Sequence, residues 1–120
     1  MIVCITADGS DWTARIDPSF GRAAYFQFIN TDTEEIEAVA NEPGAHGAGV
    51  QAAQTVSEHG AAVVITGRVG PNAFQGLKAA GVDVFTGATG NVREAYTAHA
   101  EGTLMRTDLP TGRAHQGGRR

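Results

Sequence analysis

The periodicity of the apolar residues changes once along this 120-residue chain, and that change restricts the fold more than any other feature. Before residue 48 the chain has three short segments rich in β-branched and aromatic residues. After it, segments with apolar residues three and four positions apart alternate with short apolar runs. The pattern predicts the element order βββαβαβα. Strands that alternate with helices indicate an α/β domain with a parallel portion in its sheet.

The predicted elements are bounded by residues that start or stop regular structure. The predicted strands are 2–6, 24–30, 36–40, 61–66 and 82–86, and the predicted helices are 48–59, 71–80 and 91–101. A glycine follows each helix, at Gly60, Gly81 and Gly102, where it can adopt the left-handed conformation that ends a helix. Asn91 with Glu94 three residues later predicts a capping box. A short polar turn makes the second and third strands an antiparallel hairpin, and right-handed crossovers then place the last two strands parallel to the first.

This topology predicts one functional edge of a mixed five-stranded sheet, which we call the carboxyl edge because the first strand ends there. All three helices start at this edge. The loops 7–23, 41–47, 67–70 and 87–90 also lie there. Ligands of open α/β sheets bind outside the carboxyl ends of the strands, so we expect the site at the carboxyl edge.

Glycine-rich turns and arginines at the carboxyl edge predict an anion site. Backbone N–H groups at a helix N-terminus attract negative charge, and arginine offers a fork of donors that suits anions with several acceptor atoms. His46 lies among small residues with no core to fill, which makes it a candidate ligand. The candidate binding residues are Arg22, His46, Gly47, Gly67, Arg68, Gly70, Asn72, Gly87, Thr89 and Gly90. The alternative for each arginine is an ordinary ion pair, with Asp8, Asp11 and Asp17 as available partners.

Composition and charge exclude several classes of protein. The longest apolar run has five residues, whereas a membrane helix needs about 20, so we expect no membrane span. The first residues do not resemble a signal peptide, and one cysteine permits neither an intramolecular disulfide nor a four-thiolate metal site; these features favour a reducing cytoplasm. We expect Cys4, inside the first strand, to be a packing residue. Residues 1–110 carry 13 carboxylates and six basic residues, a net charge of −7 that argues against nucleic-acid binding.

A set of motifs resembles a known family. Phe20-Gly21-Arg22-Ala23-Ala24-Tyr25-Phe26 resembles the signature Phe-Gly-Arg-Ala-x-Tyr-Phe of the dinitrogenase iron–molybdenum cofactor biosynthesis family. The resemblance continues through 44–49, 66–74, 80–82 and 86–90, and covers about residues 1–105. It implies a ribonuclease-H-like, three-layer α/β/α fold.

The same resemblance implies a function without catalytic turnover. Members of the family bind or carry molybdenum-containing metal–sulfur clusters, and some standalone members hold a mixed molybdenum–copper sulfide cluster non-covalently. Such a cluster brings its own sulfides and is a polyanion, so the protein has to supply only N–H donors, arginines and an apolar wall. The implied partners are the cluster and, beyond it, cluster donor or acceptor proteins.

Other functions remain open on the sequence alone. A small enzyme or sensor could bind a nucleotide or phosphorylated metabolite at the same glycine-rich turns, and an adaptor would have no ligand of its own. A two-metal nuclease is excluded, because it needs carboxylates on neighbouring strands, and the strands at 2–6 and 61–66 contain none.

The C-terminal extension gives the first testable prediction. We place the domain at 1–105 and an extension at 106–120, whose last ten residues contain three arginines and no apolar residue larger than alanine. Such a composition is typical of disorder. Deleting residues 111–120 should therefore change the free energy of unfolding, measured with urea, by less than about 1 kcal/mol. A larger loss would show that the tail packs on the domain.

Overall fold

The protein was analysed as a computed structural model that describes residues 1–42 and 48–109. Its elements are β1 (Ile2–Ala7), β2 (Tyr25–Asn30), β3 (Ile36–Ala40), α1 (Ala48–Glu58), β4 (Val63–Ile65), α2 (Pro71–Ala79), β5 (Asp83–Phe85) and α3 (Val92–Ala100). The predicted order βββαβαβα is confirmed. The predicted disordered tail, 111–120, lies outside the described residues.

The five strands form one mixed sheet in the order β3-β2-β1-β4-β5. β2 is antiparallel to both β1 and β3, while β1, β4 and β5 are parallel. Cys4 in β1 lies opposite Phe28 in β2 and Val64 in β4, which fixes the register across the centre. The short polar turn after β2 and the helical crossovers thus produce the predicted strand directions.

Helices cover both faces of this sheet, because alternate strand residues point to opposite sides. Cys4, Phe28 and Val64 belong to a buried cluster that contains the apolar faces of α1 and α2. Val3 and Ile65 belong to a second cluster, packed against α3. The architecture is therefore three layers, α/β/α, as predicted.

The ends of the helices follow from local chemistry. Gly60 and Gly81 have φ values of 74° and 79°, which L-residues with a side chain rarely adopt. At the start of α3 the Asn91 side chain accepts a hydrogen bond from the Glu94 N–H at 2.8 Å, and the Asn91 N–H donates to the Glu94 carboxylate at 2.9 Å. The predicted capping box is confirmed. β4 is shorter than predicted because the Ala61 N–H still bonds to Val56 at the end of α1, at 3.3 Å.

The segment after α3 covers the outer edge of β5. The Thr107 N–H donates to the Val84 carbonyl at 2.7 Å, and Arg106 pairs with Phe85 in an isolated bridge. The Arg106 guanidinium lies 3.6 Å from the Asp83 carboxylate. Residues beyond position 105 thus contact the sheet. Among residues 1–42 and 48–109, no helix has the length and apolar character needed to cross a membrane.

Cys4 gives a prediction about the core. Its side chain is fully buried, and burial raises the pKa of the thiol well above its usual range. Cys4→Ala removes one sulfur from a packed cluster and should lower the free energy of unfolding by about 1 kcal/mol, measured by urea denaturation, with the native circular dichroism unchanged. An unchanged stability, or rapid labelling of the native thiol by a cysteine reagent, would contradict the packing role.

Candidate functional site

The backbone of the long loop after β1 presses against the turn after β4. A Cβ atom on Gly67 would lie 2.6 Å from the Pro18 carbonyl oxygen and 2.7 Å from its Cα, so only glycine fits there. The Arg68 N–H donates to the Pro18 carbonyl at 2.7 Å, and the Phe20 N–H donates to the Arg68 carbonyl at 3.1 Å. This contact ties the loop that carries Arg22 to the turn that carries Arg68.

Two buried hydroxyl groups stabilise the contact between the loop after β1 and the turn after β4 on the side of the sheet. Thr6 and Thr66, near the carboxyl ends of β1 and β4, are fully buried, and their hydroxyl oxygens lie 2.8 Å apart. The Thr6 hydroxyl donates to the Asp17 carbonyl at 2.7 Å, and the Asp17 N–H donates to the Thr6 carbonyl at 2.9 Å. The loop is therefore anchored to the sheet on the side facing away from solvent.

A cavity of about 310 Å³ opens between the starts of α1 and α2, and we call it the carboxyl-edge cavity. It is lined by Ser19, Phe20, Gly21, Arg22, Ala48, Gly49, Arg68, Gly70, Pro71, Asn72 and Ala73. Four predicted residues line it: Arg22, Arg68, Gly70 and Asn72. The first-turn N–H groups of Asn72 and Ala73 have no intrahelical acceptor, and Gly70 provides no side-chain cap. The helix α2 therefore presents its positive end to this cavity.

Close backbone packing gives the cavity its shape. A Cβ on Gly21 would lie 3.2 Å from the Cα and N of Gly49, and a Cβ on Gly49 would lie 3.1 Å from the Ala73 side chain. The loop after β1 and the first turns of both helices therefore approach one another almost at van der Waals distance. Sequence reasoning did not select Gly21 and Gly49 as site residues, although both belong to the family motifs.

The two arginines at the cavity have no carboxylate partner among residues 1–42 and 48–109. Arg22 and Arg68 are exposed, and no carboxylate of the described chain lies within ion-pairing distance of either guanidinium. The predicted alternative partners are occupied by backbone donors instead: Asp8 accepts the Arg15 N–H at 2.9 Å, and Asp11 accepts the Thr13 N–H at 2.9 Å. The Thr13 hydrogen bonds lower the pKa of Asp11. The ion-pair interpretation of the arginines is therefore wrong for these aspartates.

Asp17 is occupied in the same way. Its carboxylate accepts the Ala24 N–H at 3.1 Å and the Ser19 N–H at 3.4 Å. It thus closes the loop around Arg22 through the backbone.

The second glycine-rich turn is placed differently from the first. Gly87, Thr89 and Gly90 line a separate cavity of about 360 Å³, together with the carboxylate-bearing Glu94. The turn still touches the first one, because the Gly87 N–H donates to the Gly67 carbonyl at 2.9 Å.

The start of α3 is closed to an anion because its donors are used inside the protein. The Val92 N–H donates to the Ala14 carbonyl at 2.8 Å, the Arg93 N–H donates to the Trp12 carbonyl at 3.1 Å, and the capping box occupies the Glu94 N–H. The expectation that both glycine-rich turns offer helix donors to an anion is therefore corrected for α3, whose donors are used inside the protein, whereas the described residues show no acceptor for the first-turn donors of α2. The contacts with Ala14 and Trp12 are tertiary, so the local sequence did not reveal them.

The remaining predicted residues are His46, Gly47 and Gly67. His46 and Gly47 lie outside the described residues, and their roles remain predictions. Gly67 packs against Pro18 and does not line the carboxyl-edge cavity. His59 lines a different cavity and stacks on Phe28, with ring centroids 4.4 Å apart.

The described residues of the cavity do not form a site for a bare metal ion. Within residues 1–42 and 48–109, no three histidine, cysteine, aspartate or glutamate side chains converge as a metal site. Cys4, the chain's one cysteine, is buried in the core between the sheet and α1 and α2. The arrangement offers hydrogen-bond donors and positive charge, which suit an anion that carries its own ligands.

Comparison with known proteins agrees with this architecture. The chain is similar to the apo orange protein of Desulfovibrio gigas, with 38% identity, a TM-score of 0.89, and coverage of 92% of this chain and 95% of that one. It is also similar to a Thermotoga protein named after NifB, with 37% identity, a TM-score of 0.80, and coverage of 92% and 98%. An uncharacterized protein of Methanocaldococcus jannaschii is 30% identical over 95 residues, which are 75% of this chain and 80% of that protein.

A family model extends the similarity over nearly all of the domain. The model described as dinitrogenase iron-molybdenum cofactor matches residues 1–102. The matched range contains both arginines of the cavity and every strand and helix of the fold. Together with the motifs around Arg22 and Arg68, the match shows that this chain belongs to the dinitrogenase iron–molybdenum cofactor family.

Proposed function

We propose that this protein binds and carries a molybdenum-containing metal–sulfur cluster, non-covalently and without catalytic turnover. The observation that carries the proposal is the pair of exposed guanidiniums, Arg22 and Arg68, which have no described carboxylate partner at a cavity that also receives the open N-terminus of α2. A mixed molybdenum–copper sulfide cluster is the preferred cargo, since the family resemblance implies it. The similar Desulfovibrio protein is described in an apo form, which supports a ligand of some kind. Another molybdenum-containing cluster would suit the same donors.

The chemistry of the donor set supports a cluster that brings its own sulfur. A bare metal ion needs thiolate, imidazole or carboxylate ligands, and the described cavity wall has none of them. A sulfide cluster with a net negative charge needs only hydrogen-bond donors and positive charge around it. Charge-assisted hydrogen bonds from guanidiniums and backbone N–H groups meet that need. The buried Cys4 has no part in this scheme.

The carboxyl-edge cavity also bears on the two alternative functions, a ligand-free adaptor and a protein that binds a nucleotide or phosphorylated metabolite. The ligand-free adaptor is less well supported, because the carboxyl edge carries a concave cavity. A nucleotide or phosphorylated metabolite could use the same donors, but it is colourless, whereas a molybdenum–sulfide cluster absorbs visible light. Visible absorbance of the protein isolated from its native host therefore separates these two ligands. We propose a cytoplasmic carrier whose partners are cluster donor and acceptor proteins.

Arg68→Ala tests the role of the guanidinium. We expect it to weaken binding about ten- to a hundredfold, because one charge-assisted hydrogen bond is worth about 1.5 to 3 kcal/mol. The apo protein is titrated with tetrathiomolybdate and copper(I) at fixed ionic strength, and binding is followed by visible absorbance. Arg68→Lys keeps the charge but loses the fork of donors, and should recover only part of the affinity.

Lys78→Ala is the matched control, because Lys78 is exposed in the last turn of α2, at the end of that helix away from Arg68, and carries the same charge. Arg93 is unsuitable as a control, since its guanidinium lies 3.8 Å from the centre of the Trp12 ring and supports packing. Cys4→Ala should bind like the wild type. Equal affinities for wild type, Arg68→Ala and Lys78→Ala would contradict the arginine assignment, and loss of binding in a folded Cys4→Ala protein would make the thiol a ligand.

A further inference from the structure

We propose that Asn41 is a positioning residue that holds Arg22 in its binding orientation, an inference that rests on the proposed function of the carboxyl-edge cavity. Asn41 follows β3 directly and is not among the residues that line the cavity. It contacts instead the stretch 20–24, which we call the Arg22 arch. The arch contributes Phe20, Gly21 and Arg22 to the cavity lining, and it is the route by which Asn41 would affect a ligand there.

Asn41 fixes the arch on its inner side. Its side-chain Nδ2 donates to the Ala23 carbonyl at 2.9 Å and to the Gly21 carbonyl at 3.2 Å, which are the carbonyls of the two residues flanking Arg22. Its backbone N–H donates to the Ala24 carbonyl at 2.9 Å. One side chain thus bridges both sides of the residue that carries the guanidinium.

The other hydrogen bonds that the structure describes for the arch lie at its two ends. The Phe20 N–H donates to the Arg68 carbonyl, and the Ala24 N–H donates to the Asp17 carboxylate at 3.1 Å. These bonds hold the ends but leave the carbonyls of Gly21 and Ala23 to Asn41. Without Asn41 these two carbonyls would lose the donor described for them, and the backbone on either side of Arg22 would be held less firmly. Binding would then have to order more of the Arg22 backbone and side chain, at a cost in affinity.

Asn41 tests this idea more cleanly than Asp17 does. Asp17 also holds the arch, but replacing it changes the charge near an anion site, so electrostatics and positioning would be mixed. Asn41 is neutral, and its replacement by alanine leaves the charge of the cavity unchanged. A loss of affinity in Asn41→Ala would therefore report on geometry.

Asn30 provides a matched control at the opposite end of the sheet. Its side-chain oxygen accepts the Asp32 N–H at 2.8 Å and the Thr33 N–H at 3.3 Å, so it organises a turn much as Asn41 organises the arch. Asn30→Ala should cost comparable local order, but in the turn after β2. It should leave the cavity unaffected.

The first measurement needs no ligand. Backbone ¹⁵N relaxation of the apo protein should show Gly21, Arg22 and Ala23 with order parameters near 0.85 in the wild type, a value typical of rigid backbone, and a clear drop toward about 0.6 in Asn41→Ala. Asn30→Ala should lower the values for 31–33 and not those of the arch. Unchanged order at 21–23 in Asn41→Ala would overturn the proposal.

The second measurement is a double-mutant cycle, titrated with tetrathiomolybdate and copper(I). Asn41→Ala should weaken binding about three- to tenfold, the range of one ordinary hydrogen bond, and should have no further effect in an Arg22→Ala background. It should keep its effect in an Arg68→Ala background. A loss that persists without Arg22 would show that Asn41 acts by another route and would overturn the proposal.

The two measurements separate failure of this proposal from failure of the proposed function. If the wild type binds the probe and Asn41→Ala binds equally well, the positioning role is wrong and the carrier function stands. If the wild type does not bind the probe, the carrier function fails, and the relaxation data alone decide whether Asn41 orders the arch. If Asn41→Ala does not fold, Asn41→Ser, which keeps one donor, replaces it in both measurements with a smaller expected effect.

Discussion

The close approach of Pro18 to Gly67 is the contact on which the carboxyl edge depends. It brings the loop after β1 onto the turn after β4, and no residue with a Cβ fits at the point of contact. The hydrogen bonds on either side, from Arg68 to Pro18 and from Phe20 to Arg68, make the two segments one structural unit. The arginines of both segments then face the same cavity because their backbones are joined, not because their side chains attract each other.

This way of building a site suits a highly charged cargo. Two guanidiniums that line one cavity repel each other, so attraction between the side chains cannot be what brings them to the same cavity. The backbone contact between Pro18 and Gly67 holds the two segments together, and the buried Thr6–Thr66 pair anchors this contact to the sheet. The nearby aspartates satisfy backbone N–H groups and do not neutralise the arginines. The charge of the site is therefore kept for a ligand, although the chain as a whole is acidic.

The starts of α2 and α3 show which features of this edge could be predicted from the sequence and which could not. The element order, the strand directions and the capping box at Asn91 follow from local patterns, and all were predictable. The glycine-rich turns before α2 and α3 look alike in the sequence, yet α3 is closed by carbonyls of Ala14 and Trp12 that lie some 80 residues away along the chain. No local pattern reports such contacts.

The remaining differences have the same origin. The sequence predicts Gly67 as a ligand-binding glycine. In the structure, the lack of a side chain at Gly67 allows the close contact with Pro18. Gly49 lines the cavity only because Gly21 packs against it, which is a tertiary arrangement. Arg22 and Arg68 line one cavity, in keeping with a topology that places both segments at the carboxyl edge, and their role in binding remains a prediction. The role of His46 remains a prediction.

Elemental analysis of the protein purified from its native host, without added metal, shows whether the protein carries a molybdenum-containing metal–sulfur cluster. Molybdenum, copper, iron and acid-labile sulfide are measured per mole of protein, together with phosphorus and the visible spectrum. A cluster carrier should contain molybdenum and sulfide in stoichiometric amounts and should absorb visible light. Denaturation should release the metal and sulfide and abolish the absorbance, because no covalent bond holds the cluster. A colourless protein that contains stoichiometric phosphorus and no molybdenum would contradict the proposed function.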